Sequence, residues 1–174
     1  MQFIAHADSP LGGITLASDG KMLTDLCFDG QRSFGDLLER SCQESLLPVF
    51  EETRRWLDLY FSGKAADFTP PVSMAQTGFR KTVWEAIMTI PYGKTMTYGE
   101  ISEELSGKRG RRTSARAVGG AAAHNRILLI IPCHRVLGAG GKLTGYAGGI
   151  ERKSWLLEHE GIQLDDRLRV EQGR

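Results

Sequence analysis

The 174 residues carry 41% hydrophobic and 25% charged side chains and a formal net charge of +1, an ordinary balance for a globular protein with room for one large domain or two small ones. No window approaches the ~20 consecutive apolar residues of a membrane span, and the N-terminus lacks the basic-then-apolar layout of a secretion signal, so no membrane role and a cytoplasmic address are expected. Three cysteines, Cys27, Cys42 and Cys133, are odd in number and form no C-x-x-C pair, which argues against a disulfide framework or a zinc cluster; no metal is expected.

The small net charge conceals an asymmetry. Residues 1–77 carry 6 Lys/Arg against 11 Asp/Glu, and residues 78–174 carry 16 against 10. A basic half fits either ordinary surface charge or the electrostatic footprint of a polyanion partner.

In chain order, Gln2–Ala7, Ile14–Ser18 and Leu23–Phe28 read as three short strands, with turns at Pro10-Leu11-Gly12-Gly13 and at Asp19-Gly20, where positive φ is needed. They predict an antiparallel meander. Pro48 to Phe61 predicts a helix, with Pro48 in its first turn, Val49, Thr53, Trp56, Leu57, Tyr60 and Phe61 on one face, and Gly63 as its stop. Cys27, between Leu26 and Phe28, reads as packing. The adjacent prolines Pro70-Pro71 open a linker over 71–77 that divides a 1–70 domain from a 78–174 domain.

Beyond the linker, Thr77 is placed to cap a helix carrying Phe79, Val83, Ile87 and Ile90, ending at Pro91-Tyr92-Gly93. Thr97 and Glu100 form a capping box that opens a short helix with Ile101 and Leu105 inward, stopping at Ser106-Gly107. A basic loop, Lys108–Arg112, leads to Thr113 as a cap and a helix from Ser114 to about His124 made almost wholly of Ala, Gly and Val. Gly119 and Gly120 each cost it roughly 1 kcal/mol against alanine, a loss that makes sense if another backbone must approach closely. This is a helix-turn-helix layout. Ile127–Ile131 reads as a buried strand ending at Pro132, and Arg135–Leu137 with Lys142–Leu143 as a hairpin around Gly138-Ala139-Gly140-Gly141, as in a winged helix. A last helix covers Glu151 to His159, with Trp155, Leu156 and His159 inward. Glu160 follows at its C-terminal end, against the helix dipole.

Chemistry concentrates at Pro132-Cys133-His134-Arg135. A thiol reacts as thiolate and needs a neighbouring base. Adjacent side chains on extended backbone point apart, so Cys133 and His134 require either a bend after Pro132 or a bridging water. The acid that would fix the imidazole tautomer is sought elsewhere, with Glu160 as the candidate.

Pro132-Cys133-His134-Arg135-Val136 resembles the active-site motif of the O6-alkylguanine-DNA alkyltransferases, the methylated-DNA–protein-cysteine methyltransferases. Further blocks match in order: Ser9-Pro10-Leu11-Gly12, Tyr60-Phe61-x-Gly63, Ile90-Pro91-Tyr92-Gly93 with Thr97-Tyr98, Ala115–Gly119, Asn125, Gly145–Gly149, and Lys153-x-x-Leu156-Leu157-x-x-Glu160-Gly161. The resemblance, closest to bacterial single-protein members, implies an α+β protein. Its parts would be a small N-terminal antiparallel sheet with a helix (ribonuclease H-like) and a mostly helical, winged-helix-like C-terminal domain with a helix-turn-helix. It implies a single-turnover DNA repair enzyme, monomeric and without cofactor, that takes an alkyl group from O6-alkylguanine, with O4-alkylthymine as a further candidate, onto Cys133. His134, Glu160, Tyr98 and Asn125 would be catalytic. Arg116, Ala117, Tyr98, Gly99 and Arg80 would contact double-stranded DNA, the small-residue helix in the minor groove, Arg116 filling the place of a flipped base. Val136, Tyr146 and Ala147 would line the base pocket. Two departures stand out: the Lys108–Arg112 loop is longer and more basic than the usual Gly-x-Pro connection, and Arg126 replaces a frequent proline, which predicts a looser turn. Two other readings compete. One is a damage-recognition module without catalysis, against which Cys133 itself argues; the other is a cysteine hydrolase, which would need an oxyanion hole beside the nucleophile.

Overall fold

The structure, a computed structural model, describes residues 2–31, 42–74 and 78–170, with residue 109 described by its backbone alone. The chain forms two compact units, residues 1–75 with 126–130, and residues 76–125 with 131–174.

In the first unit β1 (Gln2–Ala7), β2 (Ile14–Ser18) and β3 (Leu23–Phe28) form the expected meander, with Ala5 opposite Leu16 and Leu16 opposite Leu26. Gly20 takes φ 105°, and the Asp19 carboxylate accepts from the Lys21 and Met22 N–H groups, so the turn closes as its residues dictate. A fourth strand that sequence reasoning missed, β4 (Cys42–Glu44), pairs parallel with β1, giving the order β3-β2-β1-β4. Its three residues show no alternation of apolar and polar side chains. Helix α1 (Pro48–Phe61) buries Val49, Phe50, Thr53, Trp56, Leu57 and Tyr60.

The aliphatic run 127–131 is buried throughout but is not a strand. Only Ile127 bridges, to Leu26 of β3, where the Leu26 N–H donates to the Arg126 carbonyl at 2.8 Å and the Leu128 N–H to the Leu26 carbonyl at 2.9 Å. Leu129 then takes φ 68° and the Ile130 N–H bonds the Leu128 carbonyl at 2.8 Å, a γ-turn in the left-handed region. A continuous apolar run reports burial and leaves the backbone conformation undetermined. Arg126, at the position of the frequent proline, pairs through its Nε with the buried Asp25 at 2.5 Å.

In the second unit α2 (Phe79–Met88) buries Val83, Trp84, Ala86 and Ile87, with Gly78 (φ 65°) at its N-cap position; Thr77, the expected cap, lies outside the described residues. The capping box opening α3 (Tyr98–Arg109) is complete: the Glu100 N–H donates to Thr97 Oγ1 at 3.1 Å and the Thr97 N–H to Glu100 Oε2 at 2.6 Å. Helix α3 continues past Ser106-Gly107 to Arg109 and stops at Gly110, in the left-handed conformation. Ser106 does not break it, since its hydroxyl donates to the Ser102 carbonyl at 2.7 Å. Lys108 therefore belongs to the helix and pairs with Glu104. Helix α4 (Ala115–Ala122) is capped by Ser114 in place of Thr113. The Trp84 indole donates to the Ala121 carbonyl at 3.0 Å, tying α2 to the end of α4.

Strand β6 (Val136–Leu137) pairs parallel with β5 (Met96–Thr97), so its ladder partner is not Lys142–Leu143. The 138–142 turn still folds back, with the Gly138 N–H on the Lys142 carbonyl at 2.8 Å. Helix α5 (Ile150–His159) buries Lys153, Leu156 and Leu157; Trp155 is half-buried and stacks on His159, with ring centroids 4.8 Å apart. Among the described residues no helix is long and apolar enough to cross a membrane.

Candidate active site

The backbone between the two units' last crossing and β6 decides where the thiol points. Pro132 takes φ −82° and ψ 60°, and the Cys133 N–H bonds the Ile131 carbonyl at 2.8 Å, an inverse γ-turn. Cys133–Arg135 then forms one turn of 3₁₀ helix in which all three side chains are buried. This is the bend that a strand would not have supplied.

Asn125, just after α4, anchors the thiol. Its side-chain N–H₂ donates to the Ile131 carbonyl and to Cys133 Sγ, both at 2.9 Å. Burial raises the Cys133 thiol above its ordinary range, while the Asn125 hydrogen bond and the Lys153 charge pull the other way.

His134 is fully buried, and its Nε2 lies 2.7 Å from Glu160 Oε1. Glu160 sits at the C-cap of α5, where the helix dipole opposes a carboxylate, and three donors reverse that penalty. Arg135 Nε reaches Oε2 at 2.9 Å and Oε1 at 3.2 Å, its Nη2 reaches Oε1 at 3.1 Å, and the Gly93 N–H donates to Oε2 at 3.0 Å. Burial alone would raise the Glu160 carboxyl, but the His134 and Arg135 contacts overcome it and hold the group down at about 2. An ionised carboxylate only accepts. Nε2 of His134 therefore carries the ring hydrogen and donates it to Glu160, leaving Nδ1 as the basic nitrogen. Burial, with Arg135 and Lys153 adding to it, lowers the imidazole below its ordinary value despite Glu160. The resting pair is thiol and neutral imidazole.

Lys153 stood in a matched block of the sequence, but no role was read for it there. It is 0% exposed, and its ammonium donates to the Val136 carbonyl at 2.6 Å and the Thr144 carbonyl at 3.0 Å. Burial lowers it to about 8, with the Cys133 charge acting to raise it. A signal was available: Lys153, Leu156, Leu157 and Glu160 follow helical i, i+3, i+4, i+7 spacing, which puts a lysine on a buried stripe. Arg135 stood inside the Pro132–Val136 motif, but the motif gave it no role.

The remaining candidates divide into two groups. Tyr146 presents its ring to His134, centroids 6.3 Å apart at 74°, and its hydroxyl is buried with no hydrogen-bond partner among the described residues. Tyr98, at the first turn of α3, lies over Gly119 of α4, 3.8 Å from where a Cβ would stand, and is close enough to Cys133 for a thiolate there to raise its phenol, after the larger effect of burial. Val136 is buried, Ala147 half-buried and Gly99 half-buried. Arg116 and Ala117 lie on the exposed face of α4, and Arg80 is exposed in the first turn of α2; none of the three joins the buried network.

Two family models match the chain: the DNA binding domain of 6-O-methylguanine DNA methyltransferase over residues 78–162, and its ribonuclease-like domain over residues 3–74. A curated methylated-DNA–protein-cysteine methyltransferase of Mycobacterium tuberculosis is 43% identical over 159 residues, covering 88% of each chain. The crystal structure of Mycobacterium tuberculosis OGT in complex with DNA superposes with a TM-score of 0.79 at 43% identity, covering 91% of this chain and 92% of that one. The O6-methylguanine-DNA methyltransferase of Pyrococcus kodakaraensis superposes with a TM-score of 0.69 at 27% identity, covering 93% and 100%.

Proposed function

The chain belongs to the 6-O-methylguanine DNA methyltransferase family, and from that membership we propose how its own residues carry out the transfer. It is a methylated-DNA–protein-cysteine methyltransferase that binds damaged DNA and repairs it by moving the alkyl group of O6-alkylguanine onto its own cysteine. The acceptor is Cys133. The observation that carries this assignment is the buried Asn125–Cys133 and His134–Glu160–Arg135 network, which puts a thiol beside an imidazole whose basic nitrogen is fixed by an ionised acid.

Nδ1 of His134 takes the thiol proton through a bridging water, and Glu160 pairs the imidazolium that results. The Asn125 amide and the Lys153 ammonium stabilise the thiolate in the meantime. Sulfur attacks the alkyl carbon, the carbon–oxygen bond breaks, and the electron pair leaves with the guanine oxygen while Tyr98 gives the ring a proton. A thioether forms, with no group placed to hydrolyse it, so one molecule acts once.

Delivery of the base falls to the exposed face of α4. Arg116, Ala117, Gly120 and Ala123 are exposed there, and a Cβ added to Gly120 would meet nothing within 4 Å. No packing inside the protein requires that glycine. A helix interior that gives up about 1 kcal/mol for it gains when a minor-groove wall comes close. Base flipping costs a few kcal/mol, which Arg116 inserted into the stack and phosphate contacts from Arg80 and the backbone near Gly99 offset. Val136, Tyr146 and Ala147 line the pocket, and the buried Tyr146 hydroxyl has a hydrogen bond to offer the base. The protein acts as a monomer in the cytoplasm and needs no cofactor for these steps.

The test is a titration of the protein with a duplex carrying one radiolabelled O6-methylguanine. Label should move to protein until one methyl per chain is reached and then stop. Label released to solvent, with the protein recovered unmodified, would support a hydrolase instead; tight binding without transfer would support a recognition module.

A further inference from the structure

Arg135 has no part in the proton path above, yet it makes three hydrogen bonds to Glu160. Three of its N–H···O contacts fall on the carboxylate at 2.9, 3.1 and 3.2 Å, while Nη1 donates to the Ile90 carbonyl at 2.7 Å. The guanidinium lies 5.8 Å from the centre of the Tyr92 ring, and the side chain is 10% exposed. Arg135 is thus locked from three sides: by Glu160, by the end of α2, and by the turn that follows it.

A buried imidazole–carboxylate pair can hold one extra proton, and while it does, Nδ1 is occupied and accepts nothing. How readily the pair takes that proton depends on the charges facing it. Those are Arg135 from the same 3₁₀ turn, Lys153 from α5, the Cys133 sulfur, and the phenols of Tyr92 and Tyr146. Of the two cations, only Arg135 touches the carboxylate. Arginine also stays charged at every relevant pH, whereas Lys153 is depressed to about 8.

We propose that Arg135 is a positioning residue for alkyl transfer: it fixes Glu160 as an anion aimed at Nε2 and thereby keeps Nδ1 of His134 unprotonated at the pH where the thiol must lose its proton. The same contacts keep the thiol's proton on the imidazole once it has been transferred, because a carboxylate bonded by a guanidinium fork resists taking it. This rests on the transfer reaction assigned above and adds a residue to it.

The experiment compares Arg135→Met and Arg135→Lys with the unmodified full chain. Single-turnover methyl transfer from a methylated duplex is followed against pH, alongside ¹⁵N NMR of His134 in the absence of DNA. Removing a cation in contact with the pair should raise its proton affinity by about 1–3 pH units. The acid limb of the Arg135→Met profile should therefore move up by that amount, with rates on the limb falling about tenfold per unit. The NMR signal should show Nδ1 protonated at a pH where it is bare in the parent. Arg135→Lys should return the limb toward the parent position at a lower plateau, since the charge is kept and the fork is lost. A rate reduced equally at all pH values in Arg135→Met, with Nδ1 still bare, makes Arg135 a structural residue only and overturns the proposal. If Arg135→Met fails to fold, Arg135→Lys decides: its NMR titration must stay near the parent's, and a limb or a titration shifted as far as removal of the charge predicts contradicts the account. Because the titration of His134 is read without DNA, it stands even if no methyl is transferred, and the absence of transfer by the parent protein would count against the assigned function alone.

Discussion

Cys27 and Cys133 are both buried, at 5% and 6% exposure, and burial is the largest influence raising either thiol. Their neighbours separate them. Cys27 lies among the carboxylates Asp25 and Asp29, which add to burial and push it up to about 12, and its S–H donates to the Thr15 carbonyl at 3.7 Å. At Cys133 the geometry is inverted: the sulfur accepts, from Asn125, and the charge that pulls its thiol down is the Lys153 ammonium. A thiol that donates to a carbonyl among anions is held as a thiol. One that accepts from an amide near a cation has its thiolate half-prepared and lacks only a base, the part we propose for the His134–Glu160 pair. Burial alone thus says little about cysteine reactivity; the sign of the surrounding hydrogen bonds and charges decides it.

The sharpest way to break this comparison is to delete each sulfur in turn. Cys133→Ala should abolish methyl transfer, while Cys27→Ala should transfer at the parent rate and lose about 1 kcal/mol of stability from the sheet, read by urea denaturation. Next in size is Glu160→Gln, which removes the anion that fixes the tautomer; single-turnover rates should fall about 10²–10⁴-fold. The same variant carries a stability signature. Glu160 is held at about 2 in the folded chain, so its contribution is present above the unfolded carboxyl range near ~4.3 and is lost as pH falls toward about 2. Between those limits the parent should lose stability more steeply than the variant.

Lys153 has the opposite pH logic. Its folded value of about 8 lies below the unfolded lysine range near ~10.4, so the burial penalty is complete below pH 8 and is relieved as pH rises between the two. Lys153→Met should abolish that rise in stability and slow transfer, since the Val136 and Thr144 carbonyls lose their shared donor. Smaller still is Gly120→Ala. It should stabilise the free protein by up to about 1 kcal/mol while weakening its binding to a duplex, a divergence that packing inside the protein would not produce. The smallest effect is expected from Arg111→Ala and Arg112→Ala, both exposed in the loop after Gly110. Each phosphate contact removed should reduce the slope of log K against log salt by about 0.9; an unchanged slope would place those arginines away from DNA.

Local signals carried most of the first unit. Strands over 2–7, 14–18 and 23–28 and the helix 48–61 begin and end where alternation, Pro48 and the turn glycines require. The capping box of Thr97 and Glu100 was equally local. What escaped depends on contacts between distant residues. Nothing in Ile127–Ile131 announces that Leu129 takes positive φ, because the backbone there is set by hydrogen bonds to Leu26 of β3, about a hundred residues earlier in the chain. The end of α3 was misplaced because Ser106 and Gly107 look like a stop, and only the Ser106–Ser102 hydrogen bond shows that the helix tolerates them. At the site, the motif and a carboxylate set against its helix dipole made Cys133, His134 and Glu160 candidates, and the structure buries all three with His134 and Glu160 in contact. Arg135 stood in the same motif without a role, since its contact with Glu160 joins the 3₁₀ turn to the end of α5. Lys153 lay on a readable buried stripe, one turn before Leu156 and Leu157.

The most direct test is the intact and peptide mass of the protein after incubation with a duplex holding a single O6-methylguanine. One added methyl, on the peptide that contains Cys133 and absent from those with Cys27 and Cys42, reaching one per chain and never more, is the predicted result. A methyl on another residue, or demethylated DNA in molar excess over unmodified protein, would contradict the account.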